Sequence, residues 1–406
     1  MRAFLRLWVL VSLLPAQQTP QPTRTDLWKQ DLTLLIQAIR QNHPAPTANL
    51  SSAELDEEVA ALGEKIAQLP DYGIVMEMAR ITARIGDSNT ILTPFQSVVG
   101  MRAFPLRVRR FGSDWYVTDA VARHIPLLGR RLTAIQGLPV DAVLDLIRPF
   151  LAYETDNWLS AMGANFLISP EVLAHIGLLT DRTAAAEYEF EDGNGVRQPV
   201  NLTVEAGTLF SLARNARGIV PLSWRNRGLF YWFDYLEPER TLYIKYDVCA
   251  QDPALPLREF VREITQFAVP HRVTKLVVDF RDNIGGGDVT VTELLFSLLQ
   301  QAQTAGTLPQ RSFGIISRNT FANGSLSAQL WKKAGAQLVG ETTGGRPHHF
   351  GAVRLLGLPA SRLVLQVATR EIPADDGNLD PDMPVSLTLG DYRFLRDTVL
   401  EAILTL

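Results

Sequence analysis

The sequence predicts a multidomain α/β protein, because the hydrophobic pattern changes twice along its 406 residues. Apolar residues first recur at helical spacing, then short β-type segments alternate with turns, and finally strand-like and helix-like segments alternate. The last pattern is typical of a layered core with parallel strands. Hydrophobic residues make up 46% and charged residues 20%, which is enough apolar material for large cores. The net charge of −4 gives no argument for a nucleic-acid partner.

Residues 1–16 have the pattern of a secretory signal peptide. Arg2 and Arg6 precede a short apolar run from Leu7 to Leu14, and Ala16 is a suitable cleavage point. The run is too short to span a bilayer. We therefore expect an exported protein, periplasmic or extracellular, with no stable membrane anchor after the signal is removed.

Residues 17–94 are predicted to form a helical domain. The first helix has one apolar face and is predicted to end at His43 and Pro44. The segment 51–54 resembles a capping box ahead of a second helix. A third helix is expected over 74–85. We interpret the apolar stripes of these helices as core.

Residues 95–235 form a β-rich region in the prediction. A hairpin is expected around 111–114, a second around 192–195, and a strand and turn at 129–140 lead into a helix near 141–151. Residues 236–406 form the final region, in which strands near 243–248, 275–279, 312–316 and 337–339 alternate with helices. Cys249, the only cysteine, excludes an intramolecular disulfide and argues against a cysteine-based metal site.

The most informative segment is 276–287, where a buried strand runs into three glycines before a helix. Glycines at such a turn let backbone N–H groups approach a ligand, and the following helix N-terminus adds partial positive charge. Gly285 and Gly286 are therefore candidate donors to an oxyanion in acyl transfer. Arg281 and Asn283 lie at the C-terminal end of the strand, where α/β sheets place ligands, so Arg281 either clamps a substrate carboxylate or braces the loop.

At these residues the chain resembles the tail-specific, or C-terminal-processing, serine peptidase family, in its tricorn-like branch. The resemblance covers almost the whole mature chain and rests on the order and spacing of six segments: 85–90, 132–140, 279–287, 318–321, 339–347 and 380–382. It implies a crotonase-like (ClpP/crotonase) α/β core, a PDZ-like module in the β-rich region, endopeptidase activity and no cofactor. It also implies a serine nucleophile, and a histidine or lysine base.

The chain departs from this family at the reactive positions. The nucleophile is expected directly after the Thr-Phe pair, where this chain has Ala322, and a methyl group cannot attack a carbonyl. The tricorn-like base position holds Asn89, which is no base near neutral pH. The lysine of the other branch aligns near Arg346, and arginine stays protonated.

Substitutes for the missing groups lie near these positions. Ser325 and Ser327 follow Ala322 and are either replacement nucleophiles or ordinary residues of a helix. His348 and His349 are either catalytic bases or an ordinary pair in a surface loop. They could also bind a metal ion, but no carboxylate at helical spacing supports a metal site. Glu341 either orients the turn or pairs with Arg281 or Arg346.

Three functions are compatible with these residues and motifs. The first is a secreted serine-type endopeptidase that acts on unstructured polypeptides or C-terminal tails, with activity lost or relocated. The second is a non-catalytic binder of a peptide or other ligand on the same scaffold, a pseudoenzyme. The third is a different acyl-transfer or hydrolase activity that uses the glycine turn without a serine.

Overall fold

A computed structural model describes residues 21–213 and 220–406, so the predicted signal peptide lies outside the described residues. The chain begins with three helices, α1 (Arg24–Asn42), α2 (Ser52–Lys65) and α3 (Asp71–Ala83). The predicted capping box is confirmed, because the Ser51 hydroxyl accepts from Glu54 N–H while the Glu54 carboxylate accepts from Ser51 N–H. Within the described part of the chain, no helix is long and apolar enough to cross a membrane.

The middle of the chain forms an antiparallel sheet with three short helices. Its strands are β1 (Leu106–Phe111), β2 (Asp114–Val121), β3 (Arg131–Ile135), β4 (Leu138–Pro139), β5 (Ala186–Glu191), β6 (Arg197–Leu202) and β7 (Leu209–Ser211). The order is β1-β2-β3-β5-β6, with β4 beside β3 and β7 beside β2. The helices are α4 (Val140–Ile147), α5 (Asp156–Phe166) and α6 (Pro170–His175). Both predicted hairpins are confirmed, as β1–β2 and β5–β6.

The C-terminal core contains a six-stranded sheet. Its elements in chain order are β8 (Tyr231–Leu236), β9 (Thr241–Tyr246), α7 (Leu257–His271), β10 (Lys275–Asp279), α8 (Val289–Thr304), β11 (Ser312–Ile316), α9 (Asn323–Lys333) and β12 (Gln337–Gly340). After them come β13 (His349–Gly351), β14 (Arg354–Gly357), β15 (Val364–Val367), β16 (Arg370–Ile372), β17 (Met383–Pro384), α10 (Leu389–Phe394) and α11 (Thr398–Leu404). The sheet order is β17-β12-β11-β10-β9-β8, parallel except for β8 against β9.

The expected boundary at residue 235 is therefore misplaced. β8 spans it and pairs with β9 from Tyr231↔Tyr246 to Leu236↔Thr241, so β8 belongs to the core sheet. The β10 side chains alternate between two apolar layers. Leu276 and Val278 pack with α7, α8 and α9, and Val277 packs with α11 on the opposite face.

A hairpin from the C-terminal half completes the N-terminal helical unit. The β14–β15 hairpin and its turn bury Leu358, Leu363, Leu365 and Val367 against the apolar faces of α1, α2 and α3. The buried Asp31 carboxylate accepts the N–H groups of Ala360 and Ser361 at 3.1 and 2.6 Å. The three helices between Arg24 and Ala83 thus share a core with residues from beyond position 350.

Candidate active site

The glycine turn after β10 packs directly against the start of α9. Gly285 has a φ of 90°, and a Cβ at this position would lie 2.9 Å from Asn323 N and 3.1 Å from Ala322 Cβ. Only glycine fits such a close approach without displacement of the backbone. The two segments predicted to form an oxyanion site and to supply the nucleophile therefore meet in the folded chain.

One of the two predicted oxyanion donors is already engaged. Gly285 N–H donates to Asn283 Oδ1 at 2.8 Å, which corrects its expected role as a free donor. Among the described residues, the N–H groups of Gly286 and Ala322 have no acceptor. Of the N–H groups of Gly285, Gly286 and Ala322, only those of Gly286 and Ala322 therefore remain without an acceptor among the described residues.

Ala322 has an unusual backbone conformation. Its φ is 48° and its ψ is −125°, at the residue immediately before α9. A side chain with a Cβ rarely adopts a positive φ, and such strain persists only where the surroundings impose it. The surroundings here are tight, since a Cβ on Gly345 would lie 2.8 Å from Ala322 N. The sharp turn between a core sheet and a helix is present, but its side chain is a methyl group.

The two serines proposed as substitutes lie in the interior. Ser325 and Ser327 have no exposed surface. Ser325 Oγ donates to Thr320 O at 3.1 Å, and Ser327 Oγ donates to Asn323 O at 2.6 Å. Helical residues that bond preceding carbonyls in this way are structural. The structure therefore contradicts the hypothesis that either serine replaces the missing nucleophile.

Asn89 is held beside strand β13. Its carboxamide donates to Phe350 O at 2.9 Å, and its backbone N–H donates to Asp87 Oδ1 at 2.9 Å. Asp87 is buried and also accepts from His43 Nε2 at 3.2 Å and from Thr90 Oγ1 at 2.6 Å. Because His43 Nδ1 accepts Ala45 N–H at 3.1 Å, the ring hydrogen lies on Nε2.

The buried His43–Asp87 pair was not predicted from the sequence. The available signals were the histidine that ends the first predicted helix and the aspartate two residues before the expected base. The two residues are 44 positions apart, and nothing in the sequence indicates that they are in contact. The pair holds the segment that carries Asn89, so its role is positioning.

Glu154 is a second functional candidate that was not predicted from the sequence. It is partly buried beside the loop that packs on Ala322, and its carboxylate accepts Arg346 N–H at 2.7 Å. Burial raises the pKa of Glu154 to about 7, aided by the negative charge of Asp87 and opposed by the Arg346 N–H. A carboxyl group that titrates near neutral pH beside a cleft is a candidate proton donor or acceptor.

The two histidines of the 346–349 loop have different environments. His348 is partly exposed between the carboxylates of Asp376 and Glu371, which raise its pKa. His349 is buried and donates from Nδ1 to Pro347 O at 2.7 Å, and burial lowers its pKa. Neither ring bonds to Ala322 or to the serines of α9. Across the described ranges, no group of three or more His, Cys, Asp or Glu residues is arranged to hold a metal ion.

The predicted binding residues are mostly structural. Arg281 braces the loop through a buried network, since its guanidinium contacts Asp279 and Asp397 at 2.6 Å each. Burial alone would raise the pKa of Asp279, but Arg281 and Lys245 outweigh it and hold that pKa at about 2. Arg281 is thus a brace and not a free substrate clamp.

The other three predicted binding residues also have protein partners. Asn283 is fully buried and donates to Tyr246 O at 2.8 Å. Glu341 pairs with Arg318 at 2.6 Å, which corrects both partners expected for it. Arg346 directs Nε toward Asn378 Oδ1 at 3.4 Å.

An apolar pocket adjoins the residue before Ala322. The Trp158 ring stacks on the Phe321 ring with centroids 4.0 Å apart and planes inclined by 8°. Trp158 also lines a cavity with Ser88, Phe95, Phe150 and Phe166, and the space available there is about 200 Å³. Such a pocket can receive one apolar side chain of an extended polypeptide.

The fold and this site define a peptidase-like scaffold, and solved structures support that class. Mature CPAF, a chlamydial serine protease, in complex with lactacystin is 12% identical over 93% of this chain and 97% of that chain, with a TM-score of 0.62. A serine-to-alanine mutant of CPAF gives a TM-score of 0.61 at 12% identity, over 94% and 96% of the two chains. The tricorn protease, at 14% identity over 94% of this chain and 36% of its own, has a TM-score of 0.45, too low to support an inference.

These likenesses show the fold alone, because the sequences are so different. The fold is a mixed α/β, multidomain protease-like scaffold with several sheets. No family model matches the chain, and no curated protein matches it.

Proposed function

We propose that this protein binds extended polypeptide in a serine-peptidase cleft without cleaving it. The observation that carries the proposal is Ala322, which keeps a strained positive-φ turn beside the glycine turn but has no group that can attack a carbonyl. Random loss of function would not by itself preserve strain of this kind, since glycine at position 322 would relieve it.

Binding is supported by features of the cleft that do not depend on a nucleophile. The N–H groups of Gly286 and Ala322 can donate to a peptide carbonyl, and the pocket beside Trp158 can hold an apolar side chain. Both interactions stabilise a bound peptide in its ground state. Acyl transfer needs in addition a nucleophile and a base in contact, and Ala322 and Asn89 supply neither.

Two finer assignments belong to this proposal. The antiparallel sheet β1–β7 is the counterpart of the PDZ-like module that the resemblance to tail-specific peptidases implies. The site of action is outside the cytoplasm, periplasmic or extracellular, because residues 1–16 have the pattern of a signal peptide. The first assignment depends on the family resemblance, and the second depends on the N-terminal sequence pattern.

The test compares the unmodified chain with Ala322→Ser and with Ala322→Ser/Asn89→His. We expect the unmodified chain to leave a chemically unfolded, carboxymethylated protein intact, and the double variant to cleave it and to react with a fluorophosphonate probe. Ala334→Ser, at the C-terminal end of the same helix, is the matched control and should gain neither property. Cleavage by the unmodified chain would overturn the proposal, and Ser325→Ala/Ser327→Ala would then show whether either serine is the nucleophile.

A further inference from the structure

A groove lined by arginines lies between strand β1 and helix α5. Its cavity volume is about 280 Å³, and its walls come from residues 107–110 of β1 and 160–165 of α5. The remainder is lined by Thr118, Ile168, Arg318, Asn319 and Tyr392. β1 is the end strand of its sheet and pairs only with β2 among the described strands, so the groove follows an open sheet edge.

The groove is positively charged and is not neutralised from within. Four arginines and no carboxylate line it. The charge of Arg318 is paired with that of Glu341. Arg110 donates to Ser160 Oγ at 3.1 Å and lies 3.8 Å from the Asp141 carboxylate.

Arg107 and Arg109 differ from the other two. Among the described residues, no carboxylate lies within 4 Å of either guanidinium, although Asp119 is the cross-strand neighbour of Arg107. The Arg109 guanidinium lies 5.5 Å from the centroid of the Tyr392 ring, which holds it over the groove. These two positive charges are available to a partner.

The backbone of β1 can also pair with an added strand. Phe111 and Asp114 close a two-residue turn, so Arg110 and Val108 occupy non-hydrogen-bonded positions opposite β2. Their N–H and C=O groups therefore point toward the groove. The direction is confirmed at Arg110, whose carbonyl accepts Arg318 Nη1 at 3.0 Å. No described residue bonds to the N–H or C=O group of Val108, so both groups can pair with a ligand backbone.

The groove leads to the cleft at Ala322. Asn319 lines the groove, and its Nδ2 donates to Asp282 Oδ1 at 2.8 Å, at the start of the glycine turn. Arg318 and Asn319 precede Thr320, Phe321 and Ala322 directly in the chain. A polypeptide that lies along β1 is thus directed toward the cleft.

We infer that the β1–α5 groove binds an extended acidic segment of a partner polypeptide, with carboxylates at alternating positions. Arg107 and Arg109 are two residues apart on one strand and so face the same side, with a separation of about 7 Å. Side chains at positions i and i+2 of an added strand have the same separation, so two carboxylates can meet both arginines. The inference rests on the proposed polypeptide binding and specifies its ligand.

The test is a fluorescence-anisotropy titration of the full chain with a labelled peptide that alternates valine and glutamate. A peptide with glutamine for glutamate is the ligand control. We expect the acidic peptide to bind at least about 10-fold more tightly, with affinity falling as ionic strength rises. The double variant Arg107→Gln/Arg109→Gln should weaken binding about 10-fold or more. Arg258→Gln/Arg262→Gln removes two charges from α7 and should leave the affinity unchanged.

Charge reversal gives an independent result. Arg107→Glu/Arg109→Glu should prefer a valine–lysine peptide to the acidic one. Equal binding of the glutamate and glutamine peptides, or unchanged affinity in the double glutamine variant, would overturn the inference. Cleavage of the peptide by the unmodified chain would instead overturn the non-hydrolytic proposal, while the arginine variants would still report whether the groove binds it.

Discussion

The backbone strain at Ala322 can be measured by its release. Ala322→Gly places the one residue for which a φ of 48° and a ψ of −125° are unstrained. A non-glycine residue in such a conformation costs about 1–3 kcal/mol. Against that gain, glycine loses about 0.4–1 kcal/mol through the entropy of the unfolded chain and about 0.8 kcal/mol through the lost methyl group. We therefore expect the free energy of unfolding to lie between about 1 kcal/mol lower and about 2 kcal/mol higher than that of the unmodified chain.

The matched control is Ala328→Gly, in the interior of α9, where the alanine is fully buried and helical. This substitution should lower stability by about 2 kcal/mol, from helix propensity and the lost methyl group. Urea unfolding followed by tryptophan fluorescence measures both variants, because Trp331 of the same helix is buried in the core. If Ala322→Gly destabilises the core as much as Ala328→Gly, the conformation at position 322 is not strained.

Three further outcomes are expected. The ordinary pKa of a glutamate is 4.5, and that of Glu154 in the folded protein is about 7. Between these two pH values the folded protein keeps the Glu154 proton while the unfolded chain releases it. The free energy of unfolding therefore falls as pH rises through this window. Glu154→Gln should remove this fall, at most about 3 kcal/mol, when urea midpoints at pH 5 and pH 8 are compared, and an unchanged pH profile would contradict the assignment. Arg281→Met should lower stability by about 3–5 kcal/mol, because Asp397 loses the guanidinium and buried Asp279 keeps only the more distant Lys245 as a cation. A loss under about 1 kcal/mol would mean that the network is not a brace. Ser325→Ala should lower stability by about 1 kcal/mol, because the hydrogen bond to Thr320 O is lost, and should leave peptide binding intact. If the unmodified chain cleaves a peptide and this variant does not, Ser325 is a nucleophile after all.

Local patterns predicted the elements that depend on neighbouring residues. The capping box at Ser51, the hairpin turns and the strand–glycine–helix segment after Lys275 all follow from spacing within a few positions. The meeting of the glycine turn with Ala322 is different, because it was implied by the resemblance to tail-specific peptidases and not by local spacing. The local predictions, in contrast, needed no knowledge of which distant segments pack together.

The missed features all depend on contacts between distant positions. Glu154 looks like an ordinary loop carboxylate until its bond to Arg346 N–H, 192 positions later, places it on the cleft wall. Glu341 was assigned to the wrong arginine, because sequence proximity to the glycine loop does not distinguish Arg318 from Arg346. Ser325 and Ser327 looked available because a sequence shows hydroxyl groups but not their burial.

The β14–β15 hairpin has a consequence for the order in which the protein folds. The N-terminal helices are synthesised first, yet their core lacks Leu363, Leu365 and Val367 until more than 250 further residues have been added. The same late hairpin accepts and donates hydrogen bonds at Ile91, and Gln366 reaches Asn89 O at 3.1 Å. The segment that carries Asn89 therefore gains these contacts only after the β14–β15 hairpin has been synthesised. A cut in the turn between β14 and β15 would therefore disturb the core of the N-terminal helices and the segment that carries Asn89, although the cut itself lies more than 260 positions away in the chain.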